Sequence, residues 1–77
     1  MDIKVVTEMW CEYCACAKSL LKEHDIEFEE VSILDAMDLM DKYELNTIPQ
    51  IFIDGVLLEG GYTGLKSNIY NLKKKEL

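Results

Sequence analysis

Positive charge is scarce in this sequence. Its 77 residues include 8 lysines and arginines against 15 aspartates and glutamates, which leaves a formal net charge of −7 at pH 7. A protein that binds nucleic acid or an anionic membrane surface needs a basic face, because the phosphates must be neutralised. The composition therefore argues against both kinds of partner and favours protein partners that carry positive patches.

The sequence also lacks an apolar run of membrane-spanning length and a charged-then-apolar leader, since a strand-like run begins at Ile3. Its three cysteines are too few, and an odd number, for a secreted disulfide scaffold. We therefore expect a cytoplasmic, monomeric protein. In that reducing compartment a close cysteine pair indicates redox chemistry or metal binding.

The residues that are present fit one domain spanning 1–77. Hydrophobic residues make up 49% of the chain and charged residues 30%, which is typical of a globular protein with one modest core. The hydrophobic pattern predicts the element order β-α-β-α-β-β-α. The predicted strands are 3–7, 26–31, 50–54 and 56–58, and the predicted helices are 12–24, 34–43 and one starting near residue 63.

This order predicts a three-layer α/β/α sandwich. A strand–helix–strand opening implies a right-handed parallel crossover. Asp54 and Gly55 form a hairpin turn signal, which would add the last strand antiparallel. The expected result is a four-stranded mixed sheet with helices on both faces.

Apolar residues one turn apart give each predicted helix a face for the core. They are Cys14, Ala17, Leu20 and Leu21; Met37, Met40 and Tyr43; and Leu65, Ile69 and Leu72. Thr63 is expected to cap the last helix, because a threonine oxygen can accept from the first free N–H groups. The lysines at 73–75 fall in its last turn, where positive charge complements the helix dipole.

Cys11 and Cys14 are separated by two residues and lie between the first strand and the first helix. A helix N-terminus favours an anion, so Cys11 is expected to be a thiolate nucleophile. One helical turn brings Cys14 back towards Cys11, and a disulfide in so small a ring is reversible. We expect Cys11 to attack a substrate disulfide and Cys14 to resolve the mixed disulfide.

Structural zinc is the main alternative for such a cysteine pair. A zinc site needs a second pair of cysteine or histidine ligands. Only Cys16 and His24 remain, both on the same predicted helix and at no useful spacing. His24 is interpreted as an exposed helix-end residue rather than a ligand, and no metal is expected.

Pro49, the only proline, stands immediately before a predicted strand. Proline cannot donate to a sheet ladder and is placed at strand starts. A cis Ile48–Pro49 bond would present the Ile48 backbone to a neighbouring substrate. An ordinary trans proline fits the sequence equally well.

Three motifs together resemble the glutaredoxin family of the thioredoxin superfamily. They are Cys-Glu-Tyr-Cys at 11–14, Thr-Ile-Pro-Gln-Ile-Phe-Ile-Asp-Gly at 47–55 and Gly-Gly-Tyr at 60–62, in the family's order. The resemblance implies a thioredoxin-like fold, a cis Pro49 facing the cysteines, and disulfide reduction with glutathione or a flavin reductase as electron source. It also implies substrate or glutathione contacts at Tyr13, Thr47, Ile48, Pro49, Gly61, Tyr62 and Thr63.

Several positions depart from the family pattern. Glu12 replaces the usual proline between the cysteines, Glu8 stands where a lysine is common, and Thr63 stands where an acid usually meets the glutathione amino group. These changes weaken the case for glutathione as co-substrate. Lys42 is a candidate for the missing positive charge.

Trp10 and Cys16 depart in other ways. Trp-Cys-x-x-Cys resembles thioredoxin, so Trp10 is a candidate contact for protein partners, with a partly buried loop anchor as the alternative. Related redoxins that donate electrons to ribonucleotide reductase combine a glutaredoxin-like fold with thioredoxin-like behaviour. Cys16 lies about 160° around the helix from Cys14 and is interpreted as a passive residue, with a regulatory or intermolecular thiol as the alternative.

The leading interpretation is a thiol–disulfide oxidoreductase and electron carrier that reduces protein disulfides or glutathione mixed disulfides. One alternative is a thioredoxin-like hydrogen donor to ribonucleotide reductase. Another is an iron–sulfur module like that of some glutaredoxins, against which Cys14 counts. A binding module with an inert cysteine pair is the last.

Overall fold

A mixed sheet of four short strands forms the middle layer of the computed structural model, which describes residues 2–75. The strands are β1 (Ile3–Thr7), β2 (Glu29–Ser32), β3 (Gln50–Ile53) and β4 (Val56–Leu58). The helices are α1 (Glu12–Glu23), α2 (Met37–Lys42) and α3 (Gly61–Lys75), and a 3₁₀ turn at Leu34–Ala36 leads into α2.

The strand order in the sheet is β2-β1-β3-β4. Strand β1 pairs parallel with β2, and α1 makes the connection between them; β1 pairs antiparallel with β3, and β3 antiparallel with β4. Asp54 and Gly55 have φ values of 51° and 82°, the left-handed conformations that a tight hairpin turn requires. The topology and the mixed sheet are those predicted from the sequence.

The larger core lies between one sheet face and the helices α1 and α3. Its strand residues alternate along β1, so that Ile3 and Val5 point to this face. The buried members of this cluster are Ile3, Val5, Ala17, Leu21, Ile26, Ile51, Leu65, Ile69 and Leu72. The predicted apolar face of α3 is therefore confirmed, and Leu20 of α1 packs at the edge of the cluster.

A smaller core covers the opposite face. Val6 and Phe52 from the sheet pack with Ala36 and Met40, so helices lie on both sides and the three-layer architecture is confirmed. The prediction that Met37 belongs to this core is wrong, because its side chain is 52% exposed. Tyr43 is half-buried with its ring centre 5.5 Å from that of Phe52.

The second strand starts at Glu29, three residues later than predicted, because α1 ends in a tight cap. Asp25 adopts a φ of 56°, and the N–H groups of Asp25 and Ile26 donate to the carbonyls of Lys22 and Leu21 at 3.1 and 3.0 Å. This is the Schellman arrangement, which turns the residue after the cap onto the helix. Ile26 is buried by this cap rather than by strand pairing.

The last helix begins at Gly61, so the prediction that Thr63 caps it is wrong. Thr63 is already the third residue of α3, and the N–H of Gly64 donates to the carbonyl of Gly60 at 3.0 Å. Glycine at 60 and 61 allows φ values of 96° and 56°, which starts the helix two residues earlier. The backbone of 73–75 forms the last turn, while those lysine side chains lie outside the part of the chain described.

None of the helices within residues 2–75 combines the length and the apolar composition needed to cross a membrane.

Candidate active site

Cys11 is the N-cap residue of α1. Its backbone is extended, with φ −97° and ψ 115°, and its sulfur accepts a hydrogen bond from the backbone N–H of Cys14 at 3.2 Å. An anion at this position gains from the free N–H groups and the partial positive charge of the helix end. The Cys11 sulfur is half-buried and lies 3.9 Å from the carbonyl oxygen of Ile48.

Cys14 lies one turn into α1 and has no solvent exposure. Burial, followed by the hydrogen bond with Cys11, raises the pKa of the Cys14 thiol to about 11. Cys14 therefore keeps its proton at neutral pH. Cys11, by contrast, is partly exposed to solvent. The two sulfurs are inequivalent in the way the attacking and resolving roles require.

An ion pair joins Lys18 of α1 to Glu30 of β2, and its lysine affects the pKa of Cys14. The Lys18 ammonium donates to the Glu30 carboxylate at 2.8 Å, and the buried Thr7 hydroxyl donates to the same oxygen at 2.9 Å. These two hydrogen bonds hold the pKa of Glu30 below its ordinary value. The positive charge of Lys18 also opposes, in small part, the rise in the pKa of Cys14.

The Ile48–Pro49 peptide bond is cis, as the family resemblance implied. The side chain of Gln50 ties this turn together, since its amide donates to the carbonyl of Thr47 at 3.0 Å and to the Thr47 hydroxyl at 3.1 Å. Pro49 is buried, and the Ile48 carbonyl points towards Cys11. The turn thus lies beside the nucleophile.

A surface groove of about 580 Å³ runs along this turn. Every binding residue predicted from the sequence lines it: Tyr13, Thr47, Ile48, Pro49, Gly61, Tyr62 and Thr63. Gln50 and Gly60, which belong to the quoted motifs, line it as well, together with four residues for which no local pattern was found: Tyr43, Leu45, Leu57 and Glu59. Those residues come from separate elements and meet only in the folded chain.

Close backbone packing shapes one wall of the groove. A β-carbon on Gly61 would lie 2.9 Å from the carbonyl oxygen of Pro49. A β-carbon on Gly64 would overlap the carbonyl oxygen of Glu59. Glycine at 61 lets the start of α3 sit directly against the proline turn, and glycine at 64 lets it sit against the backbone of Glu59.

Neither of the two charged residues considered for glutathione binding, Glu8 and Lys42, lines the groove. Glu8 is engaged elsewhere, because its carboxylate accepts from the backbone N–H of Ile33 at 3.2 Å. Lys42 does not line the groove; its ammonium lies 5.6 Å from the ring centre of Tyr43, which does. Among residues 2–72, whose side chains are described, Glu59 is the only charged residue lining the groove.

An apolar surface surrounds the nucleophile. Trp10 is 82% exposed, Met9 94% and Tyr13 64%. The alternative that Trp10 is a partly buried loop anchor is therefore wrong. Tyr13 extends this surface to the groove, since its ring centre lies 6.1 Å from that of Tyr62.

Cys16 is exposed on α1, away from the buried Cys14. His24 lies at the end of α1 as expected, but the prediction that it is exposed is wrong: it is half-buried, with its ring edge-on to Tyr70 at a centre distance of 5.7 Å. Within the described residues, no three His, Cys, Asp or Glu side chains are grouped to hold a metal ion.

Comparison with known proteins agrees with this geometry. The family model described as Glutaredoxin matches residues 3–58. The chain is 31% identical to Glutaredoxin 1 of Rickettsia bellii over 81 residues, covering 95% of this chain and 78% of that protein.

Two solved structures are similar in both sequence and fold. Glutaredoxin 1 from Francisella tularensis, crystallised with cacodylate, has a TM-score of 0.79 at 31% identity, covering 95% of this chain and 96% of that one. The glutaredoxin from Brucella melitensis has a TM-score of 0.74 at 32% identity, covering 100% and 87%. With its cysteine pair at the start of α1 and its proline turn beside them, this chain belongs to the glutaredoxin family.

Proposed function

We propose that this protein is a dithiol oxidoreductase that reduces disulfides through Cys11 and Cys14. The observation that carries the proposal is the inequality of the two sulfurs. Cys11 caps a helix at the protein surface, whereas Cys14 is fully buried one turn behind it. A nucleophile must reach the substrate, and a resolving thiol needs only to reach the nucleophile.

The reaction is two successive thiol–disulfide exchanges. The Cys11 thiolate attacks one sulfur of the substrate disulfide, a Cys11–substrate disulfide forms, and the other substrate sulfur leaves as a thiolate that takes a proton. Cys14 then loses its proton and attacks the Cys11 sulfur. The Cys11–Cys14 disulfide forms, the second substrate thiolate leaves, and two electrons have passed to the substrate.

The environment of Cys14 supports this order of events. In the reduced protein, the hydrogen bond with Cys11 and the charge of Cys11 both add to the raised pKa of Cys14. Both contributions end when Cys11 becomes part of a mixed disulfide, while the charge of Lys18 still favours the Cys14 thiolate. The resolving thiol therefore gains reactivity at the step that uses it.

For the substrates we propose protein disulfides and glutathione mixed disulfides, with glutathione as the co-substrate that restores the dithiol. The backbone of Ile48 and the first turn of α3 line the groove and offer polar groups to an extended thiol peptide. A buckwheat glutaredoxin solved as a glutathione complex has the same fold, with a TM-score of 0.77 at 18% identity. A reducing cytoplasm would suit this cycle, and we propose that location.

The exposed Trp10 favours a second candidate, a thioredoxin-like donor that a flavin reductase restores and that serves enzymes such as ribonucleotide reductase. Aromatic side chains in this position bury well against a partner protein. The NrdH-redoxin of Escherichia coli, described as having a thioredoxin-like activity profile, has a TM-score of 0.74 at 17% identity. That likeness concerns the fold alone.

The nucleophile is tested with the neutral substrate hydroxyethyl disulfide. Cys11→Ser should abolish its reduction, and Cys14→Ser should trap a stable mixed disulfide that mass spectrometry detects on Cys11. Cys16→Ser serves as the matched control and should reduce the substrate at the wild-type rate. Full activity in Cys11→Ser would refute the proposal.

The electron donor is tested separately with the oxidised protein. One reaction contains glutathione, glutathione reductase and NADPH, and the other thioredoxin reductase and NADPH. Reduction in the first supports glutathione as co-substrate. Reduction in the second alone would replace it with the thioredoxin-like candidate.

A further inference from the structure

We propose, building on the function above, that the site selects disulfides with positively charged groups beside the sulfur. In a protein substrate these groups are lysine or arginine side chains adjacent to the reacting cysteine. The proposal concerns which disulfides react fastest, and it rests on the charges and rings around Cys11 and the groove.

The groove has a negative character within the described residues. Glu59 is its one charged side chain, and no lysine, arginine or histidine lines it. Glu59 is exposed and directly precedes the glycine pair that starts α3. A cation in the groove would therefore meet a full negative charge without a competing ammonium group on the same wall.

Acidic side chains also flank the nucleophile in sequence. Glu12 follows Cys11 directly and is exposed in the first turn of α1. Glu8 lies three residues before Cys11, but its carboxylate accepts a hydrogen bond from the backbone N–H of Ile33, so Glu12 is the acid that counts here. A substrate approaching Cys11 thus comes close to a second source of negative charge.

The lysines with described side chains do not offset these acids at the groove. Lys18 is paired with Glu30 of β2, and Lys4 lies beside a different depression that Glu29 and Glu30 also line. Lys22 and Lys66 are exposed and do not line the groove. Lys42 contacts the Tyr43 ring without lining the groove. The start of α3 contributes about half a positive charge, which is less than the full charge of Glu59.

Aromatic rings provide an independent reason for a cation. Tyr13, Tyr43 and Tyr62 all line the groove, and Trp10 stands exposed beside Cys11. The faces of these rings attract ammonium and guanidinium groups, and their surfaces pack against the aliphatic part of a lysine or arginine side chain. Lys42 already lies over the Tyr43 ring, so Tyr13 and Tyr62 are the groove rings left to a substrate, and together with Glu59 they suit a cationic side chain.

The test compares three small disulfides of similar length. Cystamine carries two positive charges, dithiodipropionate two negative charges, and hydroxyethyl disulfide none. Each is reacted with excess reduced protein, and each is also reacted with dithiothreitol under the same conditions to correct for its intrinsic reactivity. Rates are measured by acid quenching and chromatography at low and high salt.

We expect the corrected rate for cystamine to exceed that for dithiodipropionate by about ten-fold at low ionic strength. The ratio should approach one in 1 M salt, where the screening length falls to about 3 Å. A corrected ratio near one at low salt, with hydroxyethyl disulfide still reduced, would overturn this inference alone. Failure to reduce hydroxyethyl disulfide would instead refute the proposed function.

A matched pair of variants locates the selectivity. Glu59→Gln should lower the cystamine preference about three-fold, because it removes the charge that lines the groove. Glu27→Gln changes the net charge equally at an exposed position outside the groove and should keep the wild-type ratio. Equal losses in both variants would show that net charge alone, rather than the groove, causes the preference.

Discussion

The carbonyl oxygen of Pro49 lies so close to Gly61 that a β-carbon on that glycine would sit 2.9 Å away. This contact joins the proline turn to the start of α3 and sets one wall of the groove beside Cys11. A distance of this kind leaves no room for a side chain unless one of the two backbones moves.

Gly61→Ala should therefore cost both stability and activity. Residue 61 has a φ of 56°, so alanine adds backbone strain to the steric contact, and we expect a loss of about 2–4 kcal/mol in the free energy of unfolding. Urea denaturation measures it. Gly55→Ala is the control, because φ is 82° there but nothing lies within 4 Å of the added carbon. Equal losses in the two variants would contradict the steric argument.

The buried Cys14 thiol should make the reduced protein less stable in alkali. Its pKa is about 11 in the folded protein, against an ordinary value of 9.0. Above pH 9 the unfolded chain releases a proton that the folded protein still holds, so stability is full below pH 9 and falls as pH rises towards 11. We expect a loss on the order of 2 kcal/mol from this group.

The measurement is the urea midpoint of the fully reduced protein across that pH range, compared with Cys14→Ala. The variant lacks this thiol but keeps the tyrosines and lysines that also titrate in alkali. The difference between the two proteins should narrow with rising pH. A constant difference would show that Cys14 ionises as easily in the folded protein as in the unfolded chain.

Removing the charge of Lys18 should have a small effect that depends on acidity. Lys18→Gln loses the contact with Glu30, and since Glu30 is half exposed we expect a cost of about 0.2–1 kcal/mol. The pKa of Glu30 is lowered in the folded protein, so this contribution is present above the ordinary value of 4.5 and is lost as pH falls below it. Thermal unfolding at neutral and acidic pH gives the difference.

Lys66→Gln provides the comparison for that variant, because Lys66 is exposed on α3. It should leave stability within about 0.5 kcal/mol of wild type at both pH values. A Lys18→Gln cost that stays unchanged in acid would assign the effect to packing of the lysine stem rather than to its charge.

Trp10→Ala should slow the reduction of protein disulfides without slowing the reduction of small ones. The side chain is 82% exposed, so stability should change by less than about 0.5 kcal/mol. Loss of an aromatic contact with a partner should lower the reduction of insulin disulfides about five-fold. Reduction of hydroxyethyl disulfide, which has no protein surface to bury the indole, reports on the chemistry alone.

Leu34→Ala removes a similarly exposed apolar side chain on the 3₁₀ turn before α2 and should affect neither substrate. If Trp10→Ala slows both disulfides equally, the indole supports the active-site loop instead of contacting partners.

The sequence predicted the fold where local patterns and turn chemistry agree. The β-branched run of β1 and the Asp54-Gly55 turn gave correct bounds for β1 and β4. The start of β2 was misplaced because Asp25 adopts a left-handed conformation that favours glycine. An aspartate near the end of a helix does not by itself indicate this conformation, so the sequence pattern did not predict the cap.

The active site, like the fold, was predicted only where the sequence carried a local pattern or a family motif. Spacing located Cys11 and Cys14, and the family resemblance supplied the residues of the proline turn. Tyr43 joins them in the groove from the end of α2, and Leu57 and Glu59 join them from β4 and the residue after it. The contact between Lys18 and Glu30 likewise spans two elements, so its residues carried no shared pattern.

The strand order places β2 and β4 at the two edges of the sheet, where another chain could add a strand. At one edge, Glu29 and Glu30 are exposed acids on a strand of four residues. At the other, β4 offers only three residues before Glu59 and the glycines end it. Short length and negative charge thus protect both edges against edge-to-edge aggregation.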